Sequence, residues 1–185
     1  MAGKNTAVFG IYTNRASVER AVEAFKAAGF SNNDVSMLFP ENQGTKDLAH
    51  EKSTKAPEGA TTGAGTGALL GGGLGWLAGI GALAIPGLGP FIAAGPIMAA
   101  LAGAGVGGAV GGLTGALVGM GIPEYEAKRY EGRVKDGGIL LSVHSDSSDE
   151  TKRAKEILQQ TGAQDISSTG EASGDKTATP SRQIA

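Results

Sequence analysis

The chain contains no cysteine and only two histidines, which removes several kinds of site at the outset. Without cysteine there are no disulfides, no thiolate metal ligands and no cysteine nucleophile. Neither His50 nor His144 has a histidine or carboxylate partner at the spacing that metal ligands require. The sequence therefore predicts no metal site.

The chain also lacks a large excess of charge of one sign, because 16 Lys and Arg residues nearly balance 18 Asp and Glu residues and the net charge is −2. A nucleic-acid-binding protein would concentrate positive charge on one face or along one helix, so we expect no nucleic-acid partner. The first residues, up to Thr6, lack the apolar core of a signal peptide. We therefore expect both termini to be cytoplasmic.

Glycine, in contrast, is abundant, and it is concentrated in a long stretch without any charged residue. The stretch runs from Gly59 to Pro123, and 22 of the 32 glycines lie between Gly59 and Ile122. Flexible glycine-rich linkers usually contain serine or charge. Here the companions are Ala, Leu, Ile and Val, and this apolar composition argues against disorder.

Two ladders of glycine at a spacing of four lie inside this stretch. In an α-helix that spacing aligns residues along one side, which leaves a groove where another backbone can approach closely. Each glycine inside a helix costs about 1 kcal/mol relative to alanine, so close packing has to offset the cost. The predicted helix-packing and oligomerisation residues are Gly63, Gly67, Gly71, Gly75, Gly79, Gly103, Gly107, Gly111, Gly115 and Gly119.

The two ladders predict an antiparallel helical hairpin. Residues 60–85 and 97–121 would each form a helix roughly 38 Å long, enough to cross a bilayer core of about 30 Å. The predicted tip between them contains Pro86, Gly87, Gly89, Pro90 and Pro96. We expect this hairpin to insert into a membrane. In the alternative, the hairpins bury their apolar surface inside a soluble assembly.

The segments on either side of the stretch share one plan of strand, amphipathic helix, glycine and strand. The first half has strands at 7–12 and 35–39 around a helix that Ser17 caps and Gly29 ends. The second half has strands at 139–143 and 164–168 around a helix that opens at Ser147 and ends at Gly162. Two such halves predict an α+β fold, a ferredoxin-like split βαβ sandwich with the hairpin as an insertion.

These patterns divide the chain into five parts. Residues 1–40 form the first βαβ half, 41–58 a polar linker and 59–122 the glycine-zipper hairpin. Residues 123–168 form a helix and the second half, and 169–185 form a disordered tail. That helix would begin at Pro123, bury Ala127, Tyr130 and Val134 on one side and end at Gly137-Gly138.

No motif in the chain predicts catalysis. Residues 63–68 match the G-x-G-x-x-A dinucleotide fingerprint, but no strand precedes them and the glycine spacing continues, so helix packing explains them better. Ser142 lies in a strand without the turn of a nucleophile elbow. We therefore predict no catalytic residue, no cofactor and no small-molecule substrate. Tyr125 and Tyr130 are either anchors at a membrane interface or ordinary packing residues.

Five short motifs resemble those of the bacterial general stress proteins, the heat-induced or low-temperature-induced type. The motifs are Ala7-Val8-Phe9-Gly10-Ile11-Tyr12, Ala27-Ala28-Gly29-Phe30, Ile85-Pro86-Gly87-Leu88-Gly89-Pro90, Gly121-Ile122-Pro123-Glu124 and Gly137-Gly138-Ile139-Leu140-Leu141-Ser142-Val143. The resemblance covers nearly the whole chain up to Thr169. It implies a role in the stress response and supplies no catalytic residues.

The sequence thus predicts a stress-associated protein that is not an enzyme. Its ferredoxin-like cytoplasmic domain would be tethered to the membrane by the glycine-zipper hairpin, which would also self-associate. The expected partners are further copies of the chain and membrane lipid. The alternative is a soluble homo-oligomer that senses stress or a small ligand.

Overall fold

The computed structural model of the chain describes residues 5–40, 81–85, 88–98, 100–101 and 112–170. Its strands are β1 Thr6–Tyr12, β2 Val35–Pro40, β3 Gly81–Ile85, β4 Gly89–Ala94, β5 Ile139–Ser145 and β6 Gln164–Gly170. Its longer helices are α1 Arg15–Ala27, α2 Gly112–Gly119, α3 Glu124–Lys135 and α4 Ser148–Gln160. The protein is therefore a mixed α+β protein, as the sequence predicts.

The six strands form one antiparallel sheet in the order β3-β4-β2-β5-β1-β6. The two predicted βαβ halves interleave within it, because β5 of the second half lies between β1 and β2 of the first. β6 then pairs with the other side of β1. The predicted strands of both halves are confirmed, although β5 and β6 each extend two residues beyond the prediction.

Helices α1 and α4 cover one face of the sheet. Their buried residues include Phe25 on α1 and Leu158 on α4, at corresponding positions of the two halves. Both belong to one core with strand residues such as Val8, Met37 and Val143. Burial of a side chain of this size contributes about 1.5–3 kcal/mol, so this core is a main source of stability.

Helices α2 and α3 cover the opposite face. The stripe predicted for α3 is confirmed, because Ala127, Tyr130 and Val134 have no exposed surface. They pack in a second core with sheet residues that include Phe9 and Leu140. The sheet thus carries helices on both faces and leaves β3 and β6 as its two edges.

Each of the four helices ends at a glycine with positive φ. At Gly29 (φ +86°) the chain leaves α1 in a Schellman motif, in which the N–H of Phe30 donates to the carbonyl of Phe25. Those two rings also stack edge to face at 5.3 Å. The predicted helix ends at Gly29, 137–138 and Gly162 are therefore confirmed, and Gly121 ends α2 in the same way.

One predicted cap is wrong and one is confirmed. Asn14, rather than Ser17, caps α1: the Asn14 side chain accepts a hydrogen bond from the backbone N–H of Ser17 at 2.9 Å. Asparagine is as favourable a cap as serine, and a cap at Asn14 begins the helix three residues earlier than a cap at Ser17 would. Ser147 caps α4 as predicted, by accepting from the N–H of Glu150.

The predicted helical hairpin is wrong where its two helices should meet. Residues 81–85 are strand β3 instead of the end of a helix, and the tip residues Gly89 and Pro90 lie in strand β4. Pro96 opens a short helical segment, and Pro86 and Gly87 lie outside the described residues. A short apolar run bounded by Gly and Pro does not distinguish strand from helix, and the unpaired edge of β2 favours the strand. β4 pairs with that edge.

Most of the glycine ladder lies outside the described residues, namely Gly63 to Gly79 and Gly103 to Gly111. Gly115 and Gly119 lie in α2. A Cβ added at Gly119 would meet nothing within 4 Å, so no other described element packs closely against that glycine. Among the helices that the structure describes, none combines the length and the apolar character needed to cross a membrane.

Candidate functional site

Polar side chains join helix α3 to the edge strand β6 along the length of both elements. We call the contacts among Glu126, Tyr130, Arg133, Asp165 and Ser167 the α3–β6 network. Residue numbers rise along α3 as they fall along β6, so the helix and the strand run antiparallel. This arrangement fixes the edge of the sheet against a helix rather than leaving it held by β1 alone.

Tyr130 is at the centre of the network. Its hydroxyl donates to the backbone carbonyl of Asp165 at 2.7 Å and lies 2.8 Å from the hydroxyl of Ser167. Its ring contacts Phe9 at a centroid distance of 6.0 Å. Burial raises the pKa of Tyr130, only partly offset by the Ser167 hydrogen bond. The hydroxyl therefore stays protonated at neutral pH and acts as a structural donor.

Charged groups complete the network on its outer side. Ser167 donates to the Glu126 carboxylate at 2.9 Å, and the Arg133 guanidinium donates to the Asp165 carboxylate at 2.9 Å. Asp165 has φ +50°, in the left-handed region that few residues other than glycine adopt. The pairing of β1 with β6 is irregular close to this point. The Arg133 bond thus holds a strained residue at the start of β6.

Three further hydrogen bonds connect α2 and the residues after it to this side of the molecule. Thr169, near the end of β6, donates to the backbone carbonyl of Gly121 at 2.7 Å. The Glu131 carboxylate of α3 accepts from the hydroxyl and the backbone N–H of Thr114. Although burial acts to raise the pKa of Glu131, the hydrogen bonds from Thr114 and Lys135 outweigh it and lower that pKa. Glu131 is therefore ionised at neutral pH.

One hydrogen bond at β5 shows toward which neighbouring strand the N–H and C=O groups of each residue point. The N–H of His144 donates to the carbonyl of Asp34 at 2.7 Å, so the backbone of His144 points toward β2. Since successive residues of an antiparallel strand point to opposite sides, the backbone of Val143 points toward β1. Val143 is opposite Val8, and the backbone of Val8 therefore points toward β5.

The same alternation gives the outer edge of β6. The neighbour of Val8, Phe9, points its backbone toward β6, where its partner is Ser167. Ser168 and Gly170, which are opposite Val8 and Thr6, consequently direct their N–H and C=O groups away from the sheet. No described strand pairs with that side of β6. We call this row of backbone groups the β6 edge.

A small cleft lies at the far end of α4 from the network. Its lining includes Phe30, Asp34, Glu150 and Arg153, and its volume is about 40 Å³. Arg153 donates to the carbonyl of Ala28 at 3.2 Å. The cleft has room for on the order of one or two water molecules and is too small for an organic cofactor.

The histidines and tyrosines named for metal or interface roles lie in different surroundings. His144 lies 3.0 Å from the Asp146 carboxylate, and within the described part of the chain no three His, Cys, Asp or Glu residues form a metal-binding group. His50 lies outside the described residues. Tyr130 is a packing residue with no exposed surface, whereas Tyr125 is 71% exposed. The two tyrosines therefore have different roles.

Fold and site together define a class: a small α+β domain whose polar side chains join its own elements and leave the outer side of β6 without a described strand partner. Residues 6–168 match the family model described as alternative complex III, ActD subunit. Comparisons with curated proteins and with solved structures returned no match. The chain belongs to the ActD family, the subunits of alternative complex III, a respiratory electron-transfer complex.

Family membership overturns three predictions. The resemblance to general stress proteins is wrong, and with it the stress-response function. The motifs behind it form strand β1, the ends of α1 and α2, the β3–β4 region and strand β5, so they describe elements of a fold rather than a lineage. The prediction that the protein's partners are further copies of itself is also wrong, because ActD is one subunit of a multi-subunit complex.

The α3–β6 network could not be predicted from the sequence. The charges of α3 and the weak strand after Gly162 were visible, but nothing in their spacing showed that Arg133 would reach Asp165 or that Tyr130 would reach Ser167. One signal was available. β6 is a strand of mostly small polar residues, as expected where an edge is held by side-chain hydrogen bonds rather than by burial.

Proposed function

We propose that this chain is a non-catalytic assembly subunit of alternative complex III and that it holds other subunits of the complex through the β6 edge. Membership of the ActD family identifies the complex to which the subunit would belong. The observation that carries the proposal is the outward row of backbone groups at Ser168 and Gly170, on a strand fixed by the α3–β6 network.

An exposed strand edge is a template for pairing with another chain, and proteins usually protect such edges with Lys, Pro or charge. β6 contains no Lys, Arg or Pro, and its one charged residue, Asp165, is paired with Arg133. An extended segment of another subunit can add to such an edge as a further strand, with main-chain hydrogen bonds providing the affinity.

The fold proposed for the domain is a ferredoxin-like sandwich. The strand order β2-β5-β1-β6 and the position of α1 and α4 on one face support this assignment. β3 and β4 then extend the sheet beyond β2, and α2 and α3 cover its second face. Because one fold hosts many functions, the assembly role rests on the edge and not on the fold.

The chain is proposed to be membrane-associated, as a subunit of a respiratory complex, with both termini on the cytoplasmic side. Thr6 and Gly170 are partners in the β1–β6 pair, so the chain enters and leaves the domain at one corner. Lysine and arginine flank the uncharged stretch at Lys52 and Lys55 before it and at Lys128 and Arg129 after it. Such residues favour the cytoplasmic side of a membrane.

The assembly role is tested by blocking one outward N–H of the β6 edge. Ser168→Pro removes that N–H, whereas the matched control Ser168→Ala keeps it. The full chain with an affinity tag is extracted from membranes in mild detergent, and co-purified subunits are identified by mass spectrometry. We expect the proline variant to lose the other subunits and the alanine variant to retain them.

Thermal unfolding of both purified variants checks that the fold is intact. Equal recovery of the other subunits with the two variants would show that the β6 edge is not the contact. Failure of the wild-type chain to co-purify with any subunit would contradict the assembly role itself.

A further inference from the structure

Tyr125 differs from the other described tyrosines. It is 71% exposed, whereas Tyr12 and Tyr130 have no exposed surface. Its hydroxyl donates only to its neighbour Glu126, at 3.1 Å. Among the described residues, the one other exposed large apolar side chain is Val118, at 42%. An exposed aromatic ring and an exposed valine thus lie on either side of the connection between α2 and α3.

This connection is also a boundary of charge. From Gly112 to Pro123 the chain has no charged residue, and Val118 lies in that part. Charge begins abruptly at Glu124, which forms a 2.7 Å ion pair with Lys128, and continues with Glu126 and Arg129. Tyr125 lies at the transition between the two.

We propose that the α2–α3 connection lies at the polar surface of a lipid bilayer, with the ring of Tyr125 in the headgroup layer and Val118 directed toward the acyl chains. The proposal rests on the membrane association proposed above. A tyrosine has an apolar ring and a polar tip, and tyrosines are enriched at the level of the headgroups for that reason.

The charges around Tyr125 favour lipid over a protein partner. The centre of a protein–protein interface is depleted of charged residues because each charge has to be desolvated. Within one turn of Tyr125 there are four charged residues: Glu124, Glu126, Lys128 and Arg129. A hydrated headgroup layer accommodates these charges and the ring together, whereas the dry centre of a protein interface does not.

The proposal is tested with one tryptophan as a probe of depth. The chain has a single tryptophan, so Trp76→Phe combined with Tyr125→Trp places the only indole at position 125 and keeps the interfacial character of the residue. The control combines Trp76→Phe with Glu156→Trp, an exposed position on α4, which covers the other face of the sheet. Both full-length variants are reconstituted in vesicles of phosphatidylcholine and phosphatidylglycerol, with and without brominated lipid.

We expect brominated lipid to reduce emission from position 125 at least about twofold and to leave emission from position 156 unchanged. Equal quenching at both positions, or none at position 125, would overturn the proposal. So would a probe at position 125 that is unquenched in vesicles and becomes shielded only in the assembled complex, because a partner subunit would then cover it. Since the vesicles contain no other subunit, the result is independent of the Ser168→Pro experiment.

Discussion

Tyr125 and Tyr130 lie five residues apart in α3, and the difference between them shows how much a single hydroxyl contributes. The Tyr130 hydroxyl donates to the Asp165 carbonyl and lies 2.8 Å from the Ser167 hydroxyl inside the α3–β6 network. The Tyr125 hydroxyl is bonded to the neighbouring Glu126 at the surface. Removal of the first leaves the partly buried Asp165 carbonyl without its donor, whereas water replaces the second.

We therefore expect Tyr130→Phe to lower the free energy of unfolding by about 1–2 kcal/mol. Tyr125→Phe, the matched control, should change it by less than about 0.5 kcal/mol, as is usual for surface positions. Denaturant-induced unfolding of the full chain in the same detergent measures both. Equal effects of the two substitutions would mean that the network does not stabilise the β6 edge.

At the scale of elements, the glycines divide into those that end helices and those that do not. Gly29 has φ +86° at the end of α1, and a Cβ added there would meet nothing within 4 Å. Gly132 lies inside α3 with ordinary helical geometry, and its Cβ would also meet nothing. The two positions therefore isolate backbone conformation from steric contact.

Gly29→Ala should destabilise the protein by about 1 kcal/mol, because alanine is strained in the left-handed region. Gly132→Ala should stabilise it by about 0.5–1 kcal/mol, because alanine is the better helix residue. The midpoint of thermal unfolding should fall for the first variant and rise for the second. Two shifts of the same sign would contradict the backbone explanation.

The elements that could be predicted from sequence are those whose cause is local. The ends of α1 and α4 follow from Gly29 and Gly162, and the buried side of α3 follows from residues spaced three and four apart. The β3–β4 hairpin could not be predicted, because its strands are selected by the open edge of β2 and not by their own apolar residues. The contact of Arg133 with Asp165 likewise joins two elements 32 residues apart, and neither element indicates the other.

At the scale of the whole molecule, the sheet brings the two ends of the described domain together. Thr6 and Gly170 are partners across β1 and β6, and antiparallel partners lie about 4.5–5.5 Å apart. Whatever residues 41–80 and 102–111 form, the segments before β1 and after β6 leave the domain on one side. A membrane cannot separate Asn5 from Gly170 unless β1 and β6 come apart.

Because the natural chain has no cysteine, single cysteines report this arrangement directly. In intact cells, Asn5→Cys and Gly170→Cys should both resist a membrane-impermeant maleimide and should both react after permeabilisation, since both positions are proposed to be cytoplasmic. Glu156→Cys on α4 belongs to the same domain and should follow the same pattern. Reaction of all three positions in intact cells would place the domain on the opposite side of the membrane. Reaction of only one of positions 5 and 170 would contradict the pairing of β1 with β6.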